Sequence, residues 1–252
     1  AYDDSFRHCI TKLSYLHGAS TETHRNRIIQ LGEEPERVVN VGALGLDHLE
    51  RTSLMSLSKL SKSLQFELKK PYLLVTYHPV TLANEEPIDS VNALLDALDK
   101  FPSHQVVITY PNADNGGLKI IPRLTLYEAE RPGRVLVVPS LGQIRYLSAI
   151  KHASAVVGNS SSGIIEVPSL NVPTVNIGQR QNGRLSAKSV LHCAASTDPI
   201  VKCIEQAITR RYKKDGEKIV NPYGRGNASS RVIEMIKSLE FSPMKKFYDL
   251  EV

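Results

Sequence analysis

Gly158-Asn159-Ser160-Ser161-Ser162-Gly163-Ile164-Ile165-Glu166 lies between two short apolar runs, Ala155-Val156-Val157 before it and Pro173-Thr174-Val175-Asn176-Ile177 after it. Runs of that length and composition read as buried strands of a parallel sheet. Parallel strands need a crossover, and the space between these two holds only a tight turn and a short helix. The Ser-rich turn therefore falls where strand passes into helix, at the carboxyl edge of the sheet, where open α/β sheets bind ligands. The leading N–H groups of a helix lack internal partners and carry the positive end of its dipole, so a Gly-flanked, hydroxyl-rich start suits a phosphate. Glu166, one turn further on, cannot serve that phosphate. As a carboxylate it suits sugar hydroxyls, as acidic residues do with the ribose of bound nucleotides. The stretch reads as a nucleotide diphosphate site.

A plainer reading stands beside this one, because Ser and Asn are ordinary helix N-caps. Asn159-Ser160-Ser161 and Asn227-Ala228-Ser229 also match a glycosylation sequon, which matters only in a secreted chain. Arg180 and Arg184, in the loop after the next strand, shift the balance toward an anion site.

Outward from this centre, strands and helices alternate. Strands are expected over residues 72–76, 105–109, 134–138, 173–177 and 189–193, and helices over 88–101, 118–129, 142–151 and 198–213, with Pro168 ending the short helix after the Ser loop. Val91, Leu94, Leu95 and Leu98 fall on one face of the 88–101 helix. Upstream, helices are expected over 3–13 and 21–31, the second ended by Gly32, with a short element over 14–19 and a strand over 37–41. Residues 42–47 read as a loop and the Ser- and Lys-rich 51–70 as a partly helical connection, which puts a domain boundary near residue 50. After a loop over 221–227, a final helix runs over 228–239. The fold class is α/β, a doubly wound, Rossmann-like parallel sheet with right-handed crossovers. The chain opens on Ala1 inside a helical pattern, and the expectation is that residues precede it.

Composition narrows the class. A length of 252 residues suffices for one large domain or one domain with part of another, and 41% hydrophobic residues can fill a substantial core. No apolar run is long enough to span a bilayer and no signal segment opens the chain, so a cytoplasmic location away from membranes is expected. Cys9, Cys193 and Cys203 are odd in number and without paired spacing, which suggests neither a disulfide framework nor a zinc site. The net charge of +5 is scattered apart from Arg210-Arg211-Tyr212-Lys213-Lys214, so a small anionic substrate is favoured over nucleic acid. That basic run reads most simply as a solvated helix end.

Several polar residues fall at expected strand ends and could converge on one cleft: His78, Asn112, Asp114, Ser160, Ser161, Glu166 and Arg180. Alone, His78 before Pro79 reads as structural, and residues 112–117 read as a turn. Sharing a sheet edge with the Ser loop reverses the preference for His78, since imidazole can bond a phosphate or transfer a proton. Asp3-Asp4, with Arg7-His8 one turn on, can be simply a charged helix start.

The motifs Asp3-Asp4-Ser5-Phe6-Arg7-His8 with Thr11-Lys12-Leu13, His78-Pro79-Val80-Thr81, Pro111-Asn112-Ala113-Asp114, the 158–163 Ser loop with Glu166, and Gly178-Gln179-Arg180-Gln181-Asn182-Gly183-Arg184 resemble, in order and spacing, the UDP-N-acetylglucosamine 2-epimerases. The versions at 78–81 and 179–184 resemble the hydrolysing branch, which makes N-acetylmannosamine and UDP for sialic acid synthesis. The resemblance covers essentially the whole chain and is less specific for the sugar than for the superfamily.

That resemblance implies a two-domain, glycosyltransferase-B-like fold with the active site between two Rossmann-like domains. Residues 1–50 would be the end of the first domain and 51–252 the UDP-binding domain, with the last helix packing back on the first. By matching motif, Ser160 and Ser161 would hold the diphosphate, Glu166 the ribose hydroxyls, and Arg180 would sit against the nucleotide. Asn112 would line the nucleotide pocket, His78 would contact phosphate and assist departure of UDP, and Asp3 would belong to the catalytic acid/base group. Neither cofactor nor metal is implied. The partners would be a UDP-sugar substrate and further copies of the chain in a homo-oligomer, with no nucleic acid and no membrane. Rival readings are hydrolysis of UDP-N,N'-diacetylbacillosamine, the non-hydrolysing epimerase, a non-catalytic UDP-binding module and a glycosyltransferase sharing the fold.

Overall fold

The computed structural model describes residues 2–69, 71–79, 87–111, 117–209, 219–240, 242 and 244–250. The chain divides into two compact units, Ala1–Arg51 together with Pro222–Val252, and Thr52–Asn221.

The first unit begins with α1 (Tyr2–Leu13), β1 (His17–Ala19), α2 (Glu22–Gln30), β2 (Val38–Asn40) and α3 (Asp47–Arg51). Strands β1 and β2 pair in parallel, His17 opposite Val38. Thr21 caps α2 by accepting a hydrogen bond from His24 N at 3.1 Å. Gly32 stops the helix in a left-handed conformation at φ 86°, where the Phe247 ring occupies the space a Cβ would need. The expected loop over 42–47 instead carries a 3-10 turn, Leu44–Leu46, that runs into α3. It is held there by Ala43 N donating to Tyr223 O at 2.9 Å, a contact that local composition does not encode.

The second unit holds α4 (Leu57–Leu64), β3 (Tyr72–Thr76), α5 (Pro87–Asp99), β4 (Gln105–Thr109), α6 (Gly117–Ala129), β5 (Val135–Val138), α7 (Gly142–His152), β6 (Ala155–Gly158), α8 (Ser162–Ile165), β7 (Thr174–Ile177), β8 (Val190–Cys193) and α9 (Thr197–Thr209). Six strands form one all-parallel sheet in the order β5-β4-β3-β6-β7-β8. Strands β3, β6 and β7 are buried along their whole length, which explains their unbroken apolar runs. Leu94, Leu95 and Leu98 of α5, Ile120 of α6 and Ile200 and Ile204 of α9 pack with Leu73, Val75 and Ile108 in the main core. From Thr52 on, the polar 51–70 segment belongs to this unit: Leu60 of α4 is fully buried, and Met55 N donates to Ser148 Oγ of α7 at 2.9 Å. Helix α8 stops three residues before Pro168, which sits inside a 3-10 turn, Val167–Leu170. Lacking an N–H, Pro168 cannot carry the α-helical ladder onward. Cys193 of β8 and Cys203 of α9 are spatial neighbours that their spacing did not reveal; burial, then Cys203, pushes the Cys193 thiol up to about 12. No helix among the described residues is long and apolar enough to cross a membrane.

The chain then returns to the first unit for α10 (Ala228–Lys237). Its preceding residue, Asn227, makes no side-chain cap. Asp47 supplies one instead, accepting from Ala228 N and Ser229 N at 2.8 Å each and from the Ser229 hydroxyl. The Ser229 hydroxyl, helped by the two backbone bonds, holds the Asp47 carboxyl below the usual carboxylate range. Asp47→Ala should cost ~1–2 kcal/mol, the usual penalty for a lost N-cap. Urea unfolding of the variant checks this, and an unchanged midpoint would show that water caps α10 equally well.

Candidate functional site

In the second unit the chain leaves β3 toward β4 and β5 and returns through α7 to β6 on the other side of β3. The crevice outside the carboxyl ends of β3 and β6 is thus the topological switch point of the sheet. Strand β3 runs out through Tyr77, His78 and Pro79, with Tyr77 and His78 buried. Strand β6 ends at Gly158, whose φ is 141° and whose absent Cβ would stand 1.9 Å from Thr76 O. Only glycine allows the two strand ends to lie this close.

Asn159 follows, completely buried. Its backbone N donates to Thr76 O at 3.2 Å. Its side chain meets the His78 peptide groups twice, Oδ1 accepting from His78 N at 2.7 Å and Nδ2 donating to His78 O at 2.8 Å. Its carbonyl accepts from Arg180 Nη1 at 3.0 Å and from Gln181 Nε2 at 2.8 Å. The segments following β3, β6 and β7 are therefore tied through one residue.

Ser160 and Ser161 come next, half-buried at the start of α8. Ser161 stands in the cap position yet makes no side-chain cap bond, and Ser160 Oγ reaches Ser162 N only at 3.4 Å. The ordinary N-cap explanation of the Ser triplet accordingly fits poorly. Gly163 lets α8 sit against β7: a Cβ there would be 2.8 Å from Thr174 Cγ2, and Thr174 Oγ1 donates to Gly163 O at 2.8 Å. Glu166 closes the short helix, half-buried. Near it, from α7, comes the Tyr146 hydroxyl, close also to Ser162 and Thr76. Burial pushes that hydroxyl up, with Glu166 adding and Ser162 and Thr76 opposing.

His78, Ser160, Ser161 and Arg180 thus meet around Asn159, and Glu166 lies one turn away through α8. Asn112 and Asp114 lie outside the described residues. The Asp3 backbone is in α1 of the first unit, and its side chain lies outside the described set. Asn159, Gln181 and Tyr146 were not singled out as site residues by sequence reading. Asn159 offered one signal, an amide directly after a strand-ending glycine, and Gln181 only its place in the 178–184 motif, whereas Tyr146 gave none.

Residues 1–237 match the family described as UDP-N-acetylglucosamine 2-epimerase. The chain is 37% identical to the polysialic acid biosynthesis protein P7 of Escherichia coli over 99% of this chain and 64% of that protein. It is also 37% identical to the hydrolysing GDP/UDP-N,N'-diacetylbacillosamine 2-epimerase of Campylobacter jejuni, over 85% of this chain and 54% of that one. The chain spans less than two thirds of the length of these two curated relatives. Among solved structures, the UDP-GlcNAc 2-epimerase of Neisseria meningitidis bound to UDP-GlcNAc superposes with a TM-score of 0.68 at 20% identity, covering 91% of this chain and 62% of that one. The α/β, glycosyltransferase-B-like fold expected from the sequence is the fold found. With its matched residues running from α1 through α10, this chain belongs to the UDP-N-acetylglucosamine 2-epimerase family.

Proposed function

We propose that this chain carries the UDP-binding part of a hydrolysing UDP-N-acetylglucosamine 2-epimerase, releasing N-acetylmannosamine and UDP. The observation that carries this reading is the convergence of His78, the Ser loop and Arg180 at the β3/β6 switch point. In this scheme Ser160 and Ser161 meet the diphosphate, Arg180 supplies fixed positive charge, Glu166 accepts from the ribose and Asn112 lines the nucleotide pocket. A leaving diphosphate is stabilised by such preorganised donors, and an arginine fork matches phosphate oxygens. His78 contacts the phosphate and assists departure of UDP, and Asp3 shares the acid/base work. The C2 proton is removed and the C1–oxygen bond to UDP breaks, giving 2-acetamidoglucal. Water then adds, hydroxyl to C1 and proton to C2, with inversion at C2.

A second reading, hydrolysis of UDP-N,N'-diacetylbacillosamine, is supported by the 37% identity to the C. jejuni relative of that name. The deciding experiment is NMR product analysis in deuterated water with each UDP-sugar, using this chain and a version extended to its relatives' full length. Deuterium at C2 of free N-acetylmannosamine, with free UDP, is the expected result. Turnover of the diacetylbacillosamine sugar alone would favour the second reading, UDP retained on the product the non-hydrolysing reaction, and UDP binding without turnover of either sugar a binding module.

A further inference from the structure

We infer that Asn159 is the positioning residue of this site, setting His78 through its side-chain amide and the Arg180 loop through its carbonyl. The inference rests on the proposed roles of those two groups. Asn159 is completely buried, and its amide faces one peptide N–H and one peptide carbonyl of the same residue, His78, at 2.7 and 2.8 Å. That double contact fixes the direction in which the chain leaves β3, and with it the root of the imidazole. Few side chains can do this. An aspartate accepts from the N–H but places a second acceptor against His78 O, a serine is too short for both, and an apolar residue leaves two buried peptide groups without partners.

The same residue's carbonyl takes both Arg180 Nη1 and Gln181 Nε2. Gln181 is itself 3% exposed, so the loop after β7 is anchored from inside the protein, while Arg180 beside it is exposed. A misplacement of about 1 Å is enough to cost on the order of a hundredfold in rate where catalysis depends on orientation. The carbonyl that takes Arg180 is main chain and survives substitution, whereas the side chain acts through His78 alone, so its loss should appear in turnover more than in substrate affinity.

The test is a double-variant cycle in the version extended to its relatives' full length, with H78A, N159A and H78A/N159A, and N159D as the variant that keeps one of the two side-chain bonds. N159A should lower kcat by about 30- to 100-fold with KM changed by less than about fivefold, and N159D should fall between it and wild type. H78A/N159A should be no slower than H78A beyond about threefold, because the positioned group is already gone. The ring ¹⁵N signals of His78 should move in N159D as well as in N159A. Losses that multiply in the double variant, with His78 signals unchanged in N159D, would overturn the proposal. If N159A does not fold, N159D and H78A/N159D carry the same comparison. If H78A turns over at the wild-type rate, the role assigned to His78 fails, and the His78 signals in N159D still decide whether Asn159 positions it.

Discussion

Replacing Gly158 by alanine is expected to remove about 3–5 kcal/mol of stability from the second unit and to abolish UDP binding. Two effects add. The backbone at φ 141° lies where an L side chain is rarely found, and the new Cβ would stand 1.9 Å from Thr76 O and 2.7 Å from Thr76 C. Neither of those atoms belongs to a flexible side chain. Both are backbone of β3, paired with Gly158 in the centre of the sheet, so relief requires the β3 and β6 ends to separate. Separation would break the Asn159 N to Thr76 O bond and carry Asn159 away from His78. Gly163→Ala is the internal control: its Cβ would meet the Thr174 Cγ2 methyl at 2.8 Å, which a rotamer change can move at a cost of ~1–2 kcal/mol. Denaturant unfolding followed by circular dichroism, with UDP titration calorimetry on the same samples, measures both. A Gly158→Ala protein within 1 kcal/mol of wild type that still bound UDP would show that the sheet can open at no cost to the site.

How much of this could be read beforehand depended on how local each cause was. The strands of the second unit were legible because parallel strands buried on both faces need continuous apolar runs, and 72–76, 105–109 and 155–157 supply them. Gly32 as a helix stop was legible for the same reason, being a backbone requirement within one turn. Asp47 was not, since the helix it caps begins at Ala228, far along the chain, and the loop around it looked merely Gly-rich. The polar 51–70 segment was legible only as a partly helical connection, because Leu60 alone buries itself fully in α4, too little to raise the local hydrophobic signal. At the site, the residue types that meet phosphate were readable as types. What holds them together was not: an asparagine that clamps a peptide 81 residues away along the chain looks, in sequence, like one more polar residue in a Ser loop.

Glu33→Gln should produce the largest loss in the first unit, about 2–4 kcal/mol at neutral pH, together with a changed acid response. The Glu33 carboxylate is completely buried and contacts Lys12 Nζ at 2.7 Å, Lys245 Nζ at 2.6 Å and His17 Nε2 at 2.9 Å. The Lys12 side chain is 45% exposed and that of Lys245 24%, so both ammoniums stay partly hydrated, which places the expected loss below that of a fully buried pair. Lys245 also donates to Lys12 O at 2.9 Å and Ser14 O at 2.6 Å, closing the end of α1, so the carboxylate holds the cation that ties the C-terminal segment down. Burial alone would raise the Glu33 pKa, but hydrogen bonds from Lys12, Lys245 and His17 outweigh it and hold the carboxyl below its ordinary range. Its contribution is therefore present above about pH 4.3, the unfolded value, and is lost as pH falls through the lower folded one. Burial, opposed by Glu33, lowers the His17 pKa; the unfolded chain takes up this proton near pH 6.5 while the folded chain resists it, so stability also declines as pH drops below about 6.5. Both slopes have the same sign. The wild type should weaken progressively from about pH 6.5 downward, and Glu33→Gln should start lower yet lose less below about pH 4.3, because its acid limb is gone. Urea titrations from pH 3.5 to 8 read this through the ten tyrosines, the chain having no tryptophan. Parallel curves for the two proteins would mean that the lysines, once rehydrated, replace the carboxylate with water at no cost, and that the C-terminal segment is held by the Phe247 contact with Gly32 instead.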